Sequence, residues 1–111
     1  MKFLRVGKKG NEKPAVLDKN GDIRDISSQV EDLNPDYLNF DTISKFQSID
    51  LMSLPKLPTI ERIGSCITKP GKFVAIGLNF SDHAKESNLP VPTEPITFMK
   101  ATSSINGPND D

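Results

Sequence analysis

The chain has 111 residues, 14 basic and 15 acidic side chains, a formal net charge of −1 and 35% hydrophobic residues. This length suits one compact domain, or a small domain and the start of another, and the balanced charge argues against a nucleic-acid partner. No window approaches the roughly 20 apolar residues of a membrane span, and the apolar stretch at the N-terminus is too short for a signal peptide. We therefore expect a soluble, cytoplasmic protein that does not associate with membranes.

The first 58 residues predict a small αβ domain that opens with an antiparallel β-meander. The pattern of apolar residues predicts strands over residues 1–6, 15–17 and 22–26. Asn20-Gly21 predicts a type I′ hairpin turn before the third strand, because both central positions of that turn need positive φ.

A helix is predicted after the meander. Asn34-Pro35 indicates a turn or a helix start, and Asp41 or Thr42 could cap the helix that follows. The apolar positions recur about every three residues and would form one face: Ile43, Phe46, and Ile49 or Met52. The prolines at positions 55 and 58 end this stretch, so residues 54–58 are the predicted linker.

Residues 59–111 predict a second domain that is only begun. Strands are expected over residues 62–67, 72–76 and 96–99, with a helical stretch over 79–87 capped by Ser81 or Asp82. Cys66 is the only cysteine, which excludes an intrachain disulfide, and we favour core packing over catalysis for it. The last two strands are apolar enough to be central but have few partners, so the sequence indicates an opening portion of a fold.

His83 and Glu86 are the strongest candidates for chemistry. They lie three residues apart, so one helical turn places both side chains on the same face. An imidazole beside a carboxylate can take a proton from water or from a carbon next to a carbonyl. The alternative is a solvated surface histidine with an acidic neighbour, which for such a pair alone is the more common situation.

Two further side chains could bind a substrate. Asn79 follows a predicted strand and could either cap the helix or direct its amide at a ligand. Lys100 ends another strand, where its ammonium group could bind a carboxylate or an enolate, or remain solvated. Asp82, Asp110 and Asp111 lack the convergent spacing of a metal site, so solvated carboxylates are favoured there.

Several spaced motifs together resemble the fumarylacetoacetate hydrolase family. The segments are Gly77–Glu86, Pro92–Lys100 and Ile105–Pro108. The family pattern is a strand, G-x-N-[YF]-x-x-H-x-x-E, a proline-bearing loop and E-P-x-x-F-x-K. The resemblance covers about residues 70–111, and Phe80 replaces the commoner tyrosine. The chain most resembles the branch of ureidoglycolate lyases and hydrolases of 2,4-diketo-3-deoxy sugar acids.

The resemblance implies an α+β fold, in which a small N-terminal meander with a helix precedes the first strands of a mixed β-fold. It implies a hydrolase or lyase that cleaves a C–C bond in 2-oxo or diketo acids with Mg²⁺ or Mn²⁺, as a homodimer. His83 and Glu86 match the family's acid–base pair, Asn79 and Lys100 its substrate side. A C–N cleavage of the ureidoglycolate lyase type is the alternative.

The chain departs from the family because it contains no Glu-x-Glu, which the family uses to hold its metal. The resemblance therefore implies no metal ligand on this chain. We expect an N-terminal portion that is inactive by itself. A small non-enzymatic αβ module that docks through unpaired strands is the other hypothesis.

Overall fold

The computed structural model describes residues 1–58, 60 and 62–110. The predicted α+β class is confirmed, because the described residues form two small antiparallel sheets and a few short helices. In chain order the strands and helices are β1 Lys2–Val6, β2 Lys13–Leu17, β3 Ile23–Asp25, α1 Phe40–Ser48, β4 Phe73–Gly77, α2 Ser81–Glu86 and β5 Ile96–Lys100. Short 3₁₀ turns cover Leu51–Ser53 and Thr102–Ser104. In the described part of the chain, no helix combines the length and the apolar character that crossing a membrane requires.

Two compact units make up the chain. One consists of Met1–Pro70 together with Ile105–Asp111, and the other of Gly71–Ser104. These units are groups of residues that contact one another within this chain. The predicted boundary between residues 58 and 59 separates two domains of a longer protein, which is a different property. That boundary therefore stays a prediction.

The predicted meander is confirmed, but its second turn differs from the expectation. Strands β1, β2 and β3 pair in that order, all antiparallel. Gly21 has a φ of +83°, whereas Asn20 is not left-handed, so the type I′ turn is wrong. The side chain of Asp18 explains the difference, because it accepts the N–H groups of Asn20 at 2.8 Å and Asp22 at 3.0 Å. This local hydrogen bonding favours a wider loop.

The core of the first unit joins the meander to α1. Its buried members are Val16, Ile26, Val30, Leu33, Phe46 and Leu54. The Phe3 and Phe46 rings meet edge to face with centroids 5.4 Å apart, which is a favoured aromatic geometry. The predicted apolar face of α1 is confirmed at Phe46 and Ile49, whereas Met52 is exposed.

The predicted caps of both helices are wrong. Asn39 caps α1, because its side chain accepts the N–H of Thr42 at 2.9 Å. The helix therefore begins two residues earlier than a cap at Asp41 would allow. Phe80 occupies the cap position of α2 without a side-chain hydrogen bond. Ser81 and Asp82 are already inside its first turn, where their side chains cannot serve as the cap.

The strand predicted over residues 62–67 does not form, and the packing predicted for Cys66 is wrong. Only Ile63 makes a bridge there, to Val6. Gly64 donates its N–H to the Arg5 carbonyl at 2.8 Å, after which the Ser65 hydroxyl donates to the Ile67 carbonyl at 2.7 Å. Among the described residues, this segment makes no further bridge to β1. Cys66 is consequently exposed.

An ion-pair network holds the returning segment Ile105–Asp110 in the first unit. Arg62 donates to both carboxylate oxygens of Asp110, and also to Glu12 at 2.7 Å. Arg5 donates to Asp32 at 2.7 and 3.0 Å and lies 3.4 Å from Glu12. The prediction of a solvated Asp110 is therefore wrong, because its partner is 48 residues away in sequence.

Hydrogen bonding keeps the carboxylates of this network ionised. The pKa of Asp110 falls to about 2, because it accepts hydrogen bonds from Arg62 and from the Gly107 N–H. Burial by itself raises the pKa of Glu12 and Asp32. The hydrogen bonds from Arg62 and Arg5, together with backbone hydrogen bonds and the nearby positive charge of Arg5, more than offset burial, so the pKa of both groups is lowered. The same contacts raise the pKa of Arg62. Each carboxylate thus stabilises the fold while it is charged.

The first prediction concerns acid sensitivity. The pKa of Asp110 is about 2 in the folded protein, whereas its ordinary value is 3.8. Its contribution to the free energy of unfolding is therefore present above about pH 4 and is lost as the pH falls toward 2. We expect Asp110→Asn to lower the urea midpoint at pH 7 and to flatten its pH dependence between about pH 4 and 2. Asp36→Asn, at an exposed position outside the network, is the control. Equal acid sensitivity of the Asp110→Asn and unsubstituted proteins would contradict the assignment.

The second prediction uses two glycines. A Cβ on Gly107 would lie 2.3 Å from the Ile63 carbonyl oxygen, whereas a Cβ on Gly71 would meet nothing within 4 Å. The obstacle at Gly107 is backbone, which cannot move as a flexible side chain would. We expect Gly107→Ala to destabilise the protein by about 1–3 kcal/mol and Gly71→Ala to change it by no more than about 0.5 kcal/mol. Thermal unfolding measures both, and similar midpoints for the two variants would show that the contact is loose.

Candidate functional site

The candidate site lies at one end of the β4–β5 hairpin. The two strands pair antiparallel, from Phe73 opposite Lys100 to Gly77 opposite Ile96. The chain leaves β4 at Gly77, enters α2, and returns through a proline-bearing loop to start β5 at Ile96. Everything between these strands is therefore gathered at the Gly77–Ile96 end of the ladder.

A left-handed residue turns the chain between β4 and α2. Leu78 has a φ of +49°, a conformation that is uncommon for a residue with a branched side chain and is often found near functional sites. The next residue, Asn79, is exposed. Its predicted capping role is not observed, because α2 has Phe80 at its cap position and no side-chain cap. The Asn79 amide is consequently available to a ligand.

Helix α2 is short, and a capping motif defines its C-terminus. Asn88 is left-handed with a φ of +52°. Its N–H donates to the Lys85 carbonyl at 3.0 Å, and the N–H of Leu89 donates to the Ala84 carbonyl at 2.9 Å. This pattern is a Schellman motif. It fixes where the helix stops and the loop toward β5 begins.

Helix α2 brings His83 and Glu86 together, as predicted. The Nδ1 atom of His83 lies 4.0 Å from Oε2 of Glu86, and their side chains are 62% and 78% exposed. The separation is too long for a hydrogen bond, so a direct hydrogen bond would require one of these exposed side chains to change its conformation. In that arrangement Nδ1 would donate to the carboxylate, which would leave Nε2 free to accept a proton. The roles of both residues stay predictions.

Asn79 borders a cavity at the end of the hairpin. The cavity has a volume of about 410 Å³. It is lined by the Ile76–Asn79 turn on one side and by Val91–Pro95 on the other. The sequence motifs predicted Asn79 as a binding residue but did not indicate that Val91–Pro95 would line a cavity beside it. The signal for that wall is the three prolines of the loop, which stiffen a segment that would otherwise be free.

Lys100 lies at the opposite end of the ladder. It pairs with Phe73, four residues along β5 from Ile96, which is a distance of about 13 Å in an extended strand. Its Nζ atom sits 6.0 Å from the centre of the Phe73 ring, a cation–π distance. The structure therefore brings Asn79 and α2 to one end and leaves Lys100 at the other, so its substrate-binding role also stays a prediction.

The carboxylates of the described residues do not cluster in the way a metal centre requires. Over residues 1–58, 60 and 62–110, no group of three histidine, cysteine, aspartate or glutamate side chains converges on a point. The acidic groups of the ion-pair network bind arginines instead: Asp110 pairs with Arg62, and Asp32 pairs with Arg5. A converging set of protein ligands for Mg²⁺ or Mn²⁺ is therefore not seen among the described residues.

Proteins of similar sequence come from the genus Burkholderia. A protein of Burkholderia ambifaria named "Putative hydrolase" is 51% identical over 110 residues. Relatives from Burkholderia lata and Burkholderia cenocepacia are 50% and 49% identical and carry the same description. Each comparison covers 99% of this chain, and the chain spans 39% of the length of these relatives. No protein-family model matches the chain.

Proposed function

We propose that this chain forms part of a hydrolase that breaks a C–C bond in a 2-oxo or 2,4-diketo acid. The observation that carries the general activity is the 49–51% identity, across 99% of the chain, to Burkholderia proteins named "Putative hydrolase". The narrower substrate class rests on the resemblance of Gly77–Glu86 and Pro92–Lys100 to the fumarylacetoacetate hydrolase pattern. The site at the Gly77–Ile96 end of the hairpin would hold this chain's part of the chemistry.

His83 would act as a general base in this reaction. Its Nε2 atom takes a proton from water while the water oxygen bonds to a substrate carbonyl carbon, and Glu86 accepts a hydrogen bond from Nδ1–H, which fixes the tautomer. The bond between that carbon and its neighbour then breaks, and its electron pair remains on the departing fragment as an enolate. The enolate takes up the proton, which yields a carboxylic acid and a 2-oxo acid.

Asn79 and the adjoining cavity would orient the substrate. The amide of Asn79 can donate to a carbonyl or carboxylate oxygen, and the apolar side chains of Ile76 and Val91 border the same space. Lys100 would contribute its positive charge to a carboxylate or enolate. The register of β5 sets its Cα apart from the α2 end of the hairpin. Lys100 would therefore hold a different part of the substrate from the part that His83 approaches.

In this proposal, a divalent metal would be held by ligands outside the described part of this chain. Mg²⁺ or Mn²⁺ would provide electrophilic activation of a substrate oxygen. The acidic side chains of the described residues do not converge on an ion. The ligands, and the homodimer that the resemblance implies, are therefore proposed for a protein of the relatives' length.

A non-enzymatic docking module is the second candidate. The observation that favours it is the exposure of His83 and Glu86, because 62% and 78% of these side chains face solvent and no substrate could be sealed from water there. C–N cleavage of the ureidoglycolate type would use the same base. Assays with an acylpyruvate and with ureidoglycolate, each with Mg²⁺ or Mn²⁺, separate the three possibilities.

The third prediction tests the general base. In a protein of the relatives' length that carries this sequence, we expect His83→Ala to lower kcat by about 10²–10⁴-fold, since it removes the group that accepts the water proton. Glu86→Gln keeps the shape of the side chain but removes the charge, so it should lower kcat by less. Steady-state kinetics measure both, and metal affinity from calorimetry should be unchanged.

Lys85→Ala is the matched control. Lys85 lies on the same helix, its side chain is 77% exposed, and its charged group makes only a 3.8 Å contact with Asp82. Its removal should leave kcat within about twofold, because exposed ion pairs contribute little. If His83→Ala and Lys85→Ala behave alike, His83 has no part in the chemistry.

A further inference from the structure

The unit Gly71–Ser104 has almost no core of its own. All of its residues are described, and Ala84 is the one that is buried. Eight large apolar side chains of this unit are exposed instead: Val74, Ile76, Phe80, Leu89, Val91, Ile96, Phe98 and Met99. Elements of secondary structure are stable when their apolar faces are packed against another layer. Within this unit no second layer covers these side chains.

Both faces of the β4–β5 hairpin are apolar. Residues opposite each other in the ladder share a face, so Val74, Ile76 and Met99 lie on one face with Thr97. Phe98 and Ile96 lie on the other face, beside Ala75 and Gly77. The side chains of Val74 and Met99 are 54% and 59% exposed, and that of Phe98 is 45% exposed. A sheet with one solvated face alternates apolar and polar residues, whereas one buried on both sides is apolar throughout.

Strand β4 also lacks features that protect a free edge. Edge strands of soluble proteins usually carry charges, prolines or bulges that prevent further pairing. Strand β4 has the sequence Phe-Val-Ala-Ile-Gly and no charged residue, and its ladder with β5 is continuous over five pairs. A two-stranded hairpin is by itself marginally stable in water. The hairpin is therefore built to receive further strands.

We propose that a further stretch of the same polypeptide, the part by which the Burkholderia relatives exceed this chain, adds strands to β4–β5 and covers both of its faces. The chain spans 39% of the relatives' length, so the uncovered part is larger than the chain itself and can form a layer on each side. The chemistry of this partner is that of apolar, β-rich polypeptide. The candidate site would then be enclosed by the same layers, whether or not His83 acts as a base.

A second copy of the chain satisfies the observations less well. A symmetric pair uses the same patch on both subunits, so it would cover one face or one edge of the hairpin. The other face would keep its exposed apolar side chains. Two uncovered faces and two unpaired edges demand more polypeptide than one copy of this hairpin provides.

A chimera tests the proposal. The region of the Burkholderia ambifaria relative that matches this chain is replaced by the chain, and hydrogen exchange of residues 73–77 and 96–100 is compared with that of the isolated chain. We expect protection of these amides to rise by roughly 100-fold or more, because paired and covered strands open rarely. Binding of the dye 8-anilinonaphthalene-1-sulfonate, strong in the isolated chain, should be lost. Unchanged exchange and dye binding in a folded chimera would overturn the proposal.

Two substitutions sharpen the comparison. Ile76→Asp places a charge on the hairpin face, and Phe40→Asp places one at the start of α1, where the ring is 89% exposed. Both should leave the urea midpoint of the isolated chain within experimental error. In the chimera Ile76→Asp should abolish or strongly lower the cooperative transition, while Phe40→Asp should not. Equal effects in the chimera would contradict coverage of the hairpin.

Two further outcomes decide against the proposal. Sedimentation equilibrium of the isolated chain should show a monomer, and a dimer whose hairpin amides are already protected would assign the surface to a second copy. If the chimera does not fold, the unmatched region of the relative is produced as a separate polypeptide and added to the chain. The absence of protection in that mixture would equally overturn the proposal.

Discussion

The guanidinium group of Arg62 connects parts of the first unit that are far apart in sequence. It donates to Glu12 near the start of the chain, to the Gly7 carbonyl at 3.1 Å and to Asp110 near its end. A planar group with five donors suits this role, since it can hold two carboxylates and a carbonyl at once. The network replaces hydrophobic packing at a place where the returning segment has little apolar surface. Gly107 completes the contact because there is no room for a Cβ beside the Ile63 carbonyl.

The two units of the chain solve the problem of stability differently. The first unit has a core around Phe46, which packs edge to face on Phe3, and ion pairs at its periphery. The second unit, Gly71–Ser104, has ordered strands and a well-ended helix but leaves its apolar side chains in water. Its local structure comes from the β4–β5 ladder and the Schellman motif, both of which are short-range. Burial of its surface has to come from elsewhere, which is the basis of the proposed completion by further polypeptide.

The same contrast affects how the candidate site is understood. A histidine and a glutamate on an exposed helical turn do not exclude water, and general-base catalysis gains much of its power from an enclosed, preorganised environment. The geometry already provides the spacing of His83 and Glu86 and the position of Asn79 at the cavity. Enclosure is the missing element, and the apolar faces around the site are suited to providing it. Function and completion of the fold are therefore separate proposals that meet at the same end of the hairpin.

Local patterns in the sequence determined a good part of this structure. Alternation and apolar runs gave the meander and the β4–β5 strands, and the spacing of His83 and Glu86 placed them on one helical face, because these features depend on neighbours within a few residues. Tertiary structure decided the rest. It paired Asp110 with Arg62 and left residues 62–67 with a single bridge to β1, so that Cys66 is exposed. The Asn39 cap is a local contact with Thr42, but the pattern of apolar residues does not show which of several neighbouring polar residues will cap the helix. No periodicity in the sequence encodes a contact between residues 48 positions apart, so only the folded arrangement could reveal it.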